Sequence, residues 1–186
     1  VPMGIATLAC ALQDNFKQSV STKLFVYPNK IFDEIKKNPP DVLALSNYIW
    51  NSKLSLKILE ETKKEFPNTL TIMGGPHCRT DQKGLEDFLK KNPFLDGYIP
   101  FEAENPLVNL IRNCIKKNTL NIADFDNIEG VCLNKKNYEF KKLTPKKNET
   151  KVKFNSDYYS INQFSSPYLN GMLDEFLSDP QLSPLL

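Results

Sequence analysis

The sequence is short of several residue types that mark specialised chains. Among its 186 residues there are seven glycines, four cysteines and one histidine. The cysteines match no C-x-x-C spacing, which argues against a metal or redox pair and favours reduced thiols in the cytoplasm. No apolar run approaches the roughly 18 residues of a membrane-spanning helix, so no membrane partner is expected.

The charge balance argues against a protein that binds polyanions through its overall charge. Lys and Arg total 24 against 22 Asp and Glu, and the formal net charge is +2. So small an excess gives no global attraction to nucleic acid or to anionic lipid. Eight lysines lie between residues 134 and 153, and we interpret them as a solvated surface that keeps an exposed loop soluble. No nucleic-acid partner is therefore expected.

Catalytic motifs are also scarce. A metal site or a Ser-His-Asp triad would have to be built around His77, the single histidine, with partners that the sequence does not place. Neither G-x-x-x-x-G-K-[ST] nor G-x-G-x-x-G occurs, so nucleotide hydrolysis and hydride transfer are disfavoured. We therefore predict no catalytic residue and no metal ligand in this chain.

What the sequence does contain is an alternation of helical and strand patterns. Apolar residues recur at helical spacing in several segments, and short apolar or β-branched runs separate them. The run 41–46 is continuous, as in a strand buried on both faces of a parallel sheet. This order predicts an α/β fold with a parallel sheet, right-handed crossovers and flanking helices. The predicted elements are helix 5–16, strand 20–26, helix 31–35, strand 41–46, helix 54–66, strand 69–73, helix 85–89, strand 97–100 and helix 107–115.

After about Asn118 the pattern changes. Residues 129–133 and 138–140 flank a turn at 134–137 and predict a β-hairpin appended to the sheet. A further helix is predicted over 171–177. The predicted domains are an α/β domain at 1–121, an accessory β-hairpin and basic loop at 122–160, and a helical linker at 161–186.

Three loops are the places where we expect a ligand, because ligands of open parallel sheets bind beyond the carboxyl ends of the strands. They are residues 46–51, 74–77 and 101–104. Ser46 offers a hydroxyl, and Gly74–Gly75 lacks side chains, so that a bulky ligand can approach the backbone through an open slot. Alternatively, the glycines only form a tight turn and Ser46 caps a helix, and the spacing does not decide between the two.

Three side chains of these loops have two interpretations each. Trp50 covers a planar cofactor or, as is commoner for a single tryptophan, packs in the core. His77 contacts a ligand or is a hydrogen-bonded structural residue. Glu102 lies near a helix start, where the helix dipole stabilises a carboxylate without any ligand.

Four short motifs follow one another along the chain. Pro2–Ala9 reads P-x-G-x-x-x-L-A, and Pro40–Asn51 reads P-D-x-x-x-x-S-x-x-x-W-N. Gly74–His77 reads G-G-P-H, and Ser166–Asp174 reads S-P-Y-L-x-G-x-x-D. Each motif is weak singly, but in this order they resemble the amino-terminal cobalamin-binding domain of radical S-adenosylmethionine (SAM) proteins.

The resemblance implies a flavodoxin-like, Rossmann-like fold that holds cobalamin base-off. In that form the nucleotide tail of cobalamin is detached from cobalt and inserted into the protein. The cofactor-binding residues that the resemblance implies are Pro2, Gly4, Ser46, Asn47, Tyr48, Trp50, Gly74, Gly75, Pro76, His77 and Glu102.

The resemblance also implies a neighbouring domain. In the family, a radical SAM domain with a C-x-x-x-C-x-x-C motif holds a 4Fe-4S cluster that cleaves SAM, and many members transfer a methyl group. That motif would be expected beyond Leu186, so we expect this chain to be a fragment. It would bind cobalamin beside the radical SAM domain of the same polypeptide, as in a methyltransferase, and would not catalyse alone.

The chain departs from the family pattern in three places. The D-x-H-x-x-G motif is missing, which argues against a histidine that binds cobalt. The family's G-E-G-E loop reads Phe101–Glu104 here, and both flexible glycines are replaced. The P-x-G motif normally follows a first strand, but here it begins at Pro2, so we expect a sheet that lacks its first strand and binds the cofactor less well.

Two other functions stay open. A cofactor-free Rossmann-like domain would serve as an interaction or docking surface of a radical SAM protein. A flavin carrier has less support, because no Ser/Thr-rich loop that could cradle a phosphate occurs near the start of the chain.

Overall fold

The computed structural model describes residues 2–78, 81–100, 102–135, 164–180 and 182. The chain forms two compact units, one of Val1–Val26 with Thr150–Leu186 and the other of Tyr27–Glu149. We call them the terminal unit and the sheet unit. The domain boundaries at 121 and 160 stay a prediction.

The helices and strands largely follow the sequence pattern. Their order is α1 (Met3–Phe16), α2 (Pro28–Lys37), β1 (Val42–Ser46), α3 (Ser52–Glu65), β2 (Leu70–Gly74), α4 (Gln82–Lys91), β3 (Gly97–Ile99), α5 (Glu104–Lys117), β4 (Cys132–Leu133) and α6 (Asp174–Leu177). None of the helices described here combines the length and the apolar character that crossing a membrane requires.

The sheet unit contains a four-stranded, mostly parallel sheet in the order β1-β2-β3-β4. β1 and β2 pair in parallel, with Ser46 beside Gly74, and β2 and β3 continue in parallel, with Gly74 beside Ile99. β4 pairs with β3 in the antiparallel sense. The predicted α/β fold with a parallel sheet is therefore confirmed, and it is consistent with a flavodoxin-like arrangement. The carboxyl ends of β1, β2 and β3 meet at one edge of the sheet.

Two strand predictions were wrong. Residues 20–26 form no strand, although Val20 has extended backbone at φ −130° and ψ 122°. β-branched residues favour extended backbone, but a strand also needs a hydrogen-bonded neighbour, and the described residues supply none. β1 is not buried on both faces, since Ala44 is exposed and its other residues are half-buried. β1 lies at the edge of the described sheet, and that position explains its exposure.

One face of the sheet is covered by α3 and α4. Successive strand residues point to opposite faces, and Met73 and Tyr98 point to this one. There they pack with Leu59 of α3 and with Leu85 and Leu89 of α4, all of them at most 2% exposed. Each fully buried leucine contributes about 1.5–3 kcal/mol through the hydrophobic effect. This cluster packs β2 and β3 against the two helices.

At the amino ends of the strands, the Asp96 carboxylate joins β2 to α3. Its Oδ2 accepts hydrogen bonds from the backbone N–H of Thr71 at 2.8 Å and from Lys63 Nζ at 2.6 Å. Lys63 also donates to the backbone oxygen of Thr69. The ion pair is largely shielded from water, with side-chain exposures of 24% for Lys63 and 15% for Asp96.

Asp96→Ala is expected to lower the free energy of unfolding by about 2–3 kcal/mol, because it removes the counter-ion of the part-buried Lys63 ammonium and the acceptor of the Thr71 N–H. Urea unfolding followed by circular dichroism measures the change. Glu61→Ala is the control, because Glu61 forms exposed ion pairs on the surface of α3 and its loss should change little. Equal effects of the two substitutions would contradict the structural role of Asp96.

The terminal unit packs α1 against the segment that follows residue 163. Ala6 contacts Leu173 and Phe176 in a small buried cluster. The Asp14 carboxylate accepts hydrogen bonds from the backbone and hydroxyl of Ser165, at 2.6 and 2.7 Å. Long-range contacts of this kind, about 150 positions apart in sequence, could not be read from local pattern.

Two predictions at this end of the chain have different outcomes. The helix expected over 171–177 begins only at Asp174, because Gly171 has φ of +76°, which a helix cannot accommodate. In the predicted β-hairpin, the first strand is present as β4 and joins the sheet. The second strand, at 138–140, lies outside the described residues.

Candidate cofactor site at the carboxyl edge of the sheet

Asn47 joins the loop after β1 to the loop after β2. Its backbone N–H donates to Gly74 O at 2.6 Å, and its backbone oxygen accepts from the N–H of His77 at 3.1 Å. Its side-chain Nδ2 donates to His77 O at 2.8 Å. Asn47 therefore holds both ends of the G-G-P-H loop, since it donates two of these hydrogen bonds and accepts the third. Asn47 itself is fully buried.

Tyr98 of β3 joins this network through its hydroxyl group. Its hydroxyl accepts a hydrogen bond from Asn47 Nδ2 at 2.9 Å and donates to Gly75 O at 2.6 Å. Burial raises the pKa of the Tyr98 phenol well above its ordinary value, so the hydroxyl keeps its proton and remains a donor at neutral pH. The ring is fixed by an edge-to-face contact with Phe88, with centroids 5.3 Å apart. The three strand ends thus share one buried polar network.

One acceptor of this network has no partner. Asn47 Oδ1 is buried, and within the described part of the chain nothing donates to it. Flipping the amide would not help, since Nδ2 already donates to two oxygens where it stands. A buried carbonyl oxygen without a donor costs about 1–3 kcal/mol. The site therefore offers an acceptor to a polar group that reaches it.

The two glycines of the loop permit close backbone packing. Gly75 has φ of +127°, and a Cβ there would lie 2.7 Å from Asn47 O. A Cβ on Gly74 would lie 3.0 Å from Ile99 O. The expectation that the missing side chains open a slot is therefore wrong at these two positions, because neighbouring backbone fills the space. The backbone N–H of Gly75 is also engaged, since it donates to Ile99 O at 3.2 Å.

Ser46 ends β1, and its hydroxyl is held by the loop that follows. Its Oγ accepts a hydrogen bond from Asn51 Nδ2 at 2.8 Å, and its backbone oxygen accepts from Ser55 Oγ at 2.9 Å. The alternative that Ser46 caps a helix is wrong, because Asn51 occupies the N-cap position of α3. The half-buried hydroxyl of Ser46 keeps its own proton for a further acceptor.

An exposed aromatic pair stands beside Ser46. The rings of Tyr48 and Trp50 are stacked, with centroids 4.8 Å apart and planes 6° from parallel. Trp50 is 78% exposed and Ile49 is 75% exposed, so the alternative of a core tryptophan is wrong. Exposed apolar groups of this size beside polar side chains are typical of a surface that a ligand or partner covers. The pair presents a flat apolar face.

The other predicted site residues are less tightly placed. Pro76 and His77 have exposed side chains at the tip of the loop, and Glu102 is exposed just before α5. Pro2 and Gly4 belong to the terminal unit, where Pro2 precedes α1 and Gly4 lies in its first turn. Their role in binding stays a prediction.

Three residues of the site were missed in the sequence. They are Asn51, Ser55 and Tyr98, whose side chains bond to Ser46 or to the G-G-P-H loop. Tyr98 did carry a signal, because a buried tyrosine in a central strand needs a partner for its hydroxyl. Nothing in the local pattern indicates that the partner is Gly75 O.

Cys78 provides a chemical probe of this edge, since it directly follows His77 and is half-buried. Burial, and secondarily the Asp81 carboxylate, raises the pKa of its thiol from 9.0 to about 11. The hundredfold smaller thiolate fraction near pH 8 is partly offset by higher nucleophilicity, so alkylation should be about tenfold slower than for a free cysteine. Iodoacetamide labelling followed by peptide mass spectrometry measures the rate.

The pH dependence of that labelling has a definite sign. A raised pKa means that the rate keeps increasing with pH up to about pH 11 and does not level off near pH 9. Labelling in urea, where the burial is lost, is the control and should follow the ordinary thiol. A plateau near pH 9 in the folded protein would show that Cys78 is open to solvent.

Comparison with known proteins bears on this site. A family model described as the B12 binding domain matches residues 1–111. The cobalamin-dependent radical SAM methyltransferase TokK of Streptomyces tokunonensis is 42% identical over 65 residues, which are 35% of this chain and 9% of that protein. The 2-(S-pantetheinyl)-carbapenam-3-carboxylate methyltransferase of Streptantibioticus cattleyicolor is 38% identical over 72 residues, which are 39% of this chain and 10% of that protein. The matched segments span about a tenth of either relative.

Proposed function

The chain belongs to the B12-binding domain family, and from that premise we propose that it holds cobalamin base-off as the cofactor module of a radical SAM methyltransferase. The observation that carries the proposal is the polar edge built by Ser46, Asn47 and the G-G-P-H loop beside an exposed aromatic pair. The two relatives named above support the methyltransferase part, because both are methyltransferases by name.

The residues of this edge fit a cofactor with a flat apolar body and a polar tail. The proton of the Ser46 hydroxyl is available to an acceptor oxygen, and Asn47 Oδ1 is available to a donor. Trp50 and Tyr48 present a face on which a planar macrocycle can rest. Cobalamin, when bound, supplies a cobalt centre that can carry a methyl group.

This chain's own residues bind and orient the cofactor. Ser46 would donate to the nucleotide tail, and the backbone that fills the space beneath Gly74 and Gly75 would keep the tail out of that space. The stacked pair of Tyr48 and Trp50 would shield the macrocycle from water. SAM and a 4Fe-4S cluster would be held by a radical SAM domain of the same polypeptide. The described residues contain no group of three His, Cys, Asp or Glu suited to a metal ion.

Retention of cobalamin tests the proposal directly. The purified chain is incubated with methylcobalamin in the dark and desalted, and a corrin absorption spectrum should remain with the protein. The spectrum should be that of the base-off form, whose visible band lies at shorter wavelength than that of the base-on form. A colourless protein would favour the cofactor-free docking domain, and a base-on spectrum would contradict insertion of the tail.

Ser46→Leu is expected to abolish this retention, because a bulky apolar side chain replaces the donor where the tail should lie. Ser19→Leu is the matched control, since Ser19 is exposed and belongs to the terminal unit. Both variants are compared after their circular dichroism spectra and melting temperatures have been measured. Retention by Ser46→Leu at the wild-type level would remove Ser46 from the site.

A further inference from the structure

The side chain of Asn51 is locked in one orientation by two hydrogen bonds. Its Oδ1 accepts from the backbone N–H of Tyr48 at 2.7 Å, and its Nδ2 donates to Ser46 Oγ at 2.8 Å. In the flipped orientation the amide NH₂ would face the N–H of Tyr48, which is also a donor. The backbone N–H of Tyr48 therefore determines which end of the Asn51 amide faces Ser46.

This orientation determines where the proton of the Ser46 hydroxyl points. A hydroxyl has one proton, and Oγ already accepts the hydrogen bond from Asn51. Its proton must therefore point away from Asn51, and the described part of the chain provides no acceptor for it. Ser55 holds the backbone of Ser46 through its carbonyl oxygen, so the residue as a whole is fixed in place.

We propose that Asn51 is a positioning residue that sets the Ser46 hydroxyl as a hydrogen-bond donor to an acceptor oxygen of the cobalamin nucleotide tail. The proposal rests on the proposed function and adds the direction of one hydrogen bond. The Ser46 hydroxyl favours a ligand group that accepts a hydrogen bond and disfavours one that donates. A phosphodiester oxygen is the tail group that such a donor stabilises most, because hydrogen bonds to charged acceptors are the stronger ones.

Asn51→Asp tests the polarity with little change of shape. The carboxylate still accepts from the N–H of Tyr48, but it has no proton to donate to Ser46. The Ser46 hydroxyl then donates to Asp and turns its proton away from the ligand. The loss of one hydrogen bond to a charged acceptor predicts about 10-fold to 100-fold weaker binding of cobalamin.

Two comparisons separate this role from a merely structural one. Cobinamide lacks the nucleotide, so its affinity should change less than about twofold in the same variant, whereas a distorted loop would weaken both ligands. In a Ser46→Ala background, the Asn51→Asp change should lose most of its effect on cobalamin. What remains there measures the repulsion between the added carboxylate and the phosphate.

The outcomes distinguish the two proposals. Wild-type protein that binds neither corrinoid overturns the proposed function, and this inference with it. Wild-type protein that binds cobalamin, with equal losses for cobalamin and cobinamide in Asn51→Asp, overturns the inference alone. Undiminished loss in the Ser46→Ala background does the same. Ser46→Ala alone is also titrated with both ligands, so that the inference stays testable if Asn51→Asp does not fold, and this variant should weaken only cobalamin.

Discussion

Gly75→Ala is expected to abolish cobalamin retention and to lower the free energy of unfolding by about 2–4 kcal/mol, the sum of backbone strain and overpacking. Gly75 has φ of +127°, which side-chain-bearing residues rarely adopt. The added Cβ would also lie 2.7 Å from Asn47 O and 3.2 Å from Asn47 N, and backbone atoms cannot swing aside. The loop after β2 would have to separate from the loop after β1.

Gly97→Ala is the matched control for that experiment. Gly97 lies at the opposite end of β3, where a Cβ would meet Ile72 Cδ1 at 3.2 Å and Cys132 O at 3.3 Å. It should also destabilise the sheet, but it leaves the loops at the carboxyl edge intact. We therefore expect loss of stability with both variants and loss of retention only with Gly75→Ala. Full retention by a folded Gly75→Ala protein would show that the close approach of the two loops is dispensable for binding.

The elements of the sheet unit were predictable because each carries its own local signal. The apolar residues at helical spacing between Leu107 and Ile115 predict a helix without reference to any other segment. They lie within α5. Prediction from local pattern fails where pairing or burial depends on a neighbouring element. Residues 20–26 have the composition of a strand, and Ala44 lies in a run typical of a buried strand, but pairing and burial depend on what stands alongside.

The position of the candidate site was predictable, but its packing and its hydrogen bonds were not. The motif positions Ser46 and Gly74–Gly75 do lie at one edge of the sheet, since the parallel register sets Ser46 beside Gly74. The reason for the glycines was misjudged, because the sequence cannot show that Asn47 comes within van der Waals distance of Gly75. Hydrogen bonds such as that from Tyr98 to Gly75, 23 positions apart, exist only after folding.

Asn47→Ala is expected to lower the free energy of unfolding by about 2–4 kcal/mol and to reduce cobalamin retention strongly. The substitution removes a buried side chain and leaves the carbonyl oxygen of His77 without its donor. The G-G-P-H loop would then be held at that end by a single backbone hydrogen bond, from the N–H of His77 to Asn47 O. Urea unfolding and desalting with methylcobalamin measure the two effects.

Tyr98→Phe separates the buried network from simple packing. It removes only the hydroxyl, which bonds to Asn47 and Gly75, and should cost about 1–2 kcal/mol. Because the two side chains share a hydrogen bond, the double variant should cost less than the sum of the single ones, by about 1 kcal/mol. Additive losses would mean that Asn47 and Tyr98 stabilise the loop independently. Coupling, together with a matching loss of retention, is the result expected if one network holds the G-G-P-H loop in the conformation that binds the cofactor.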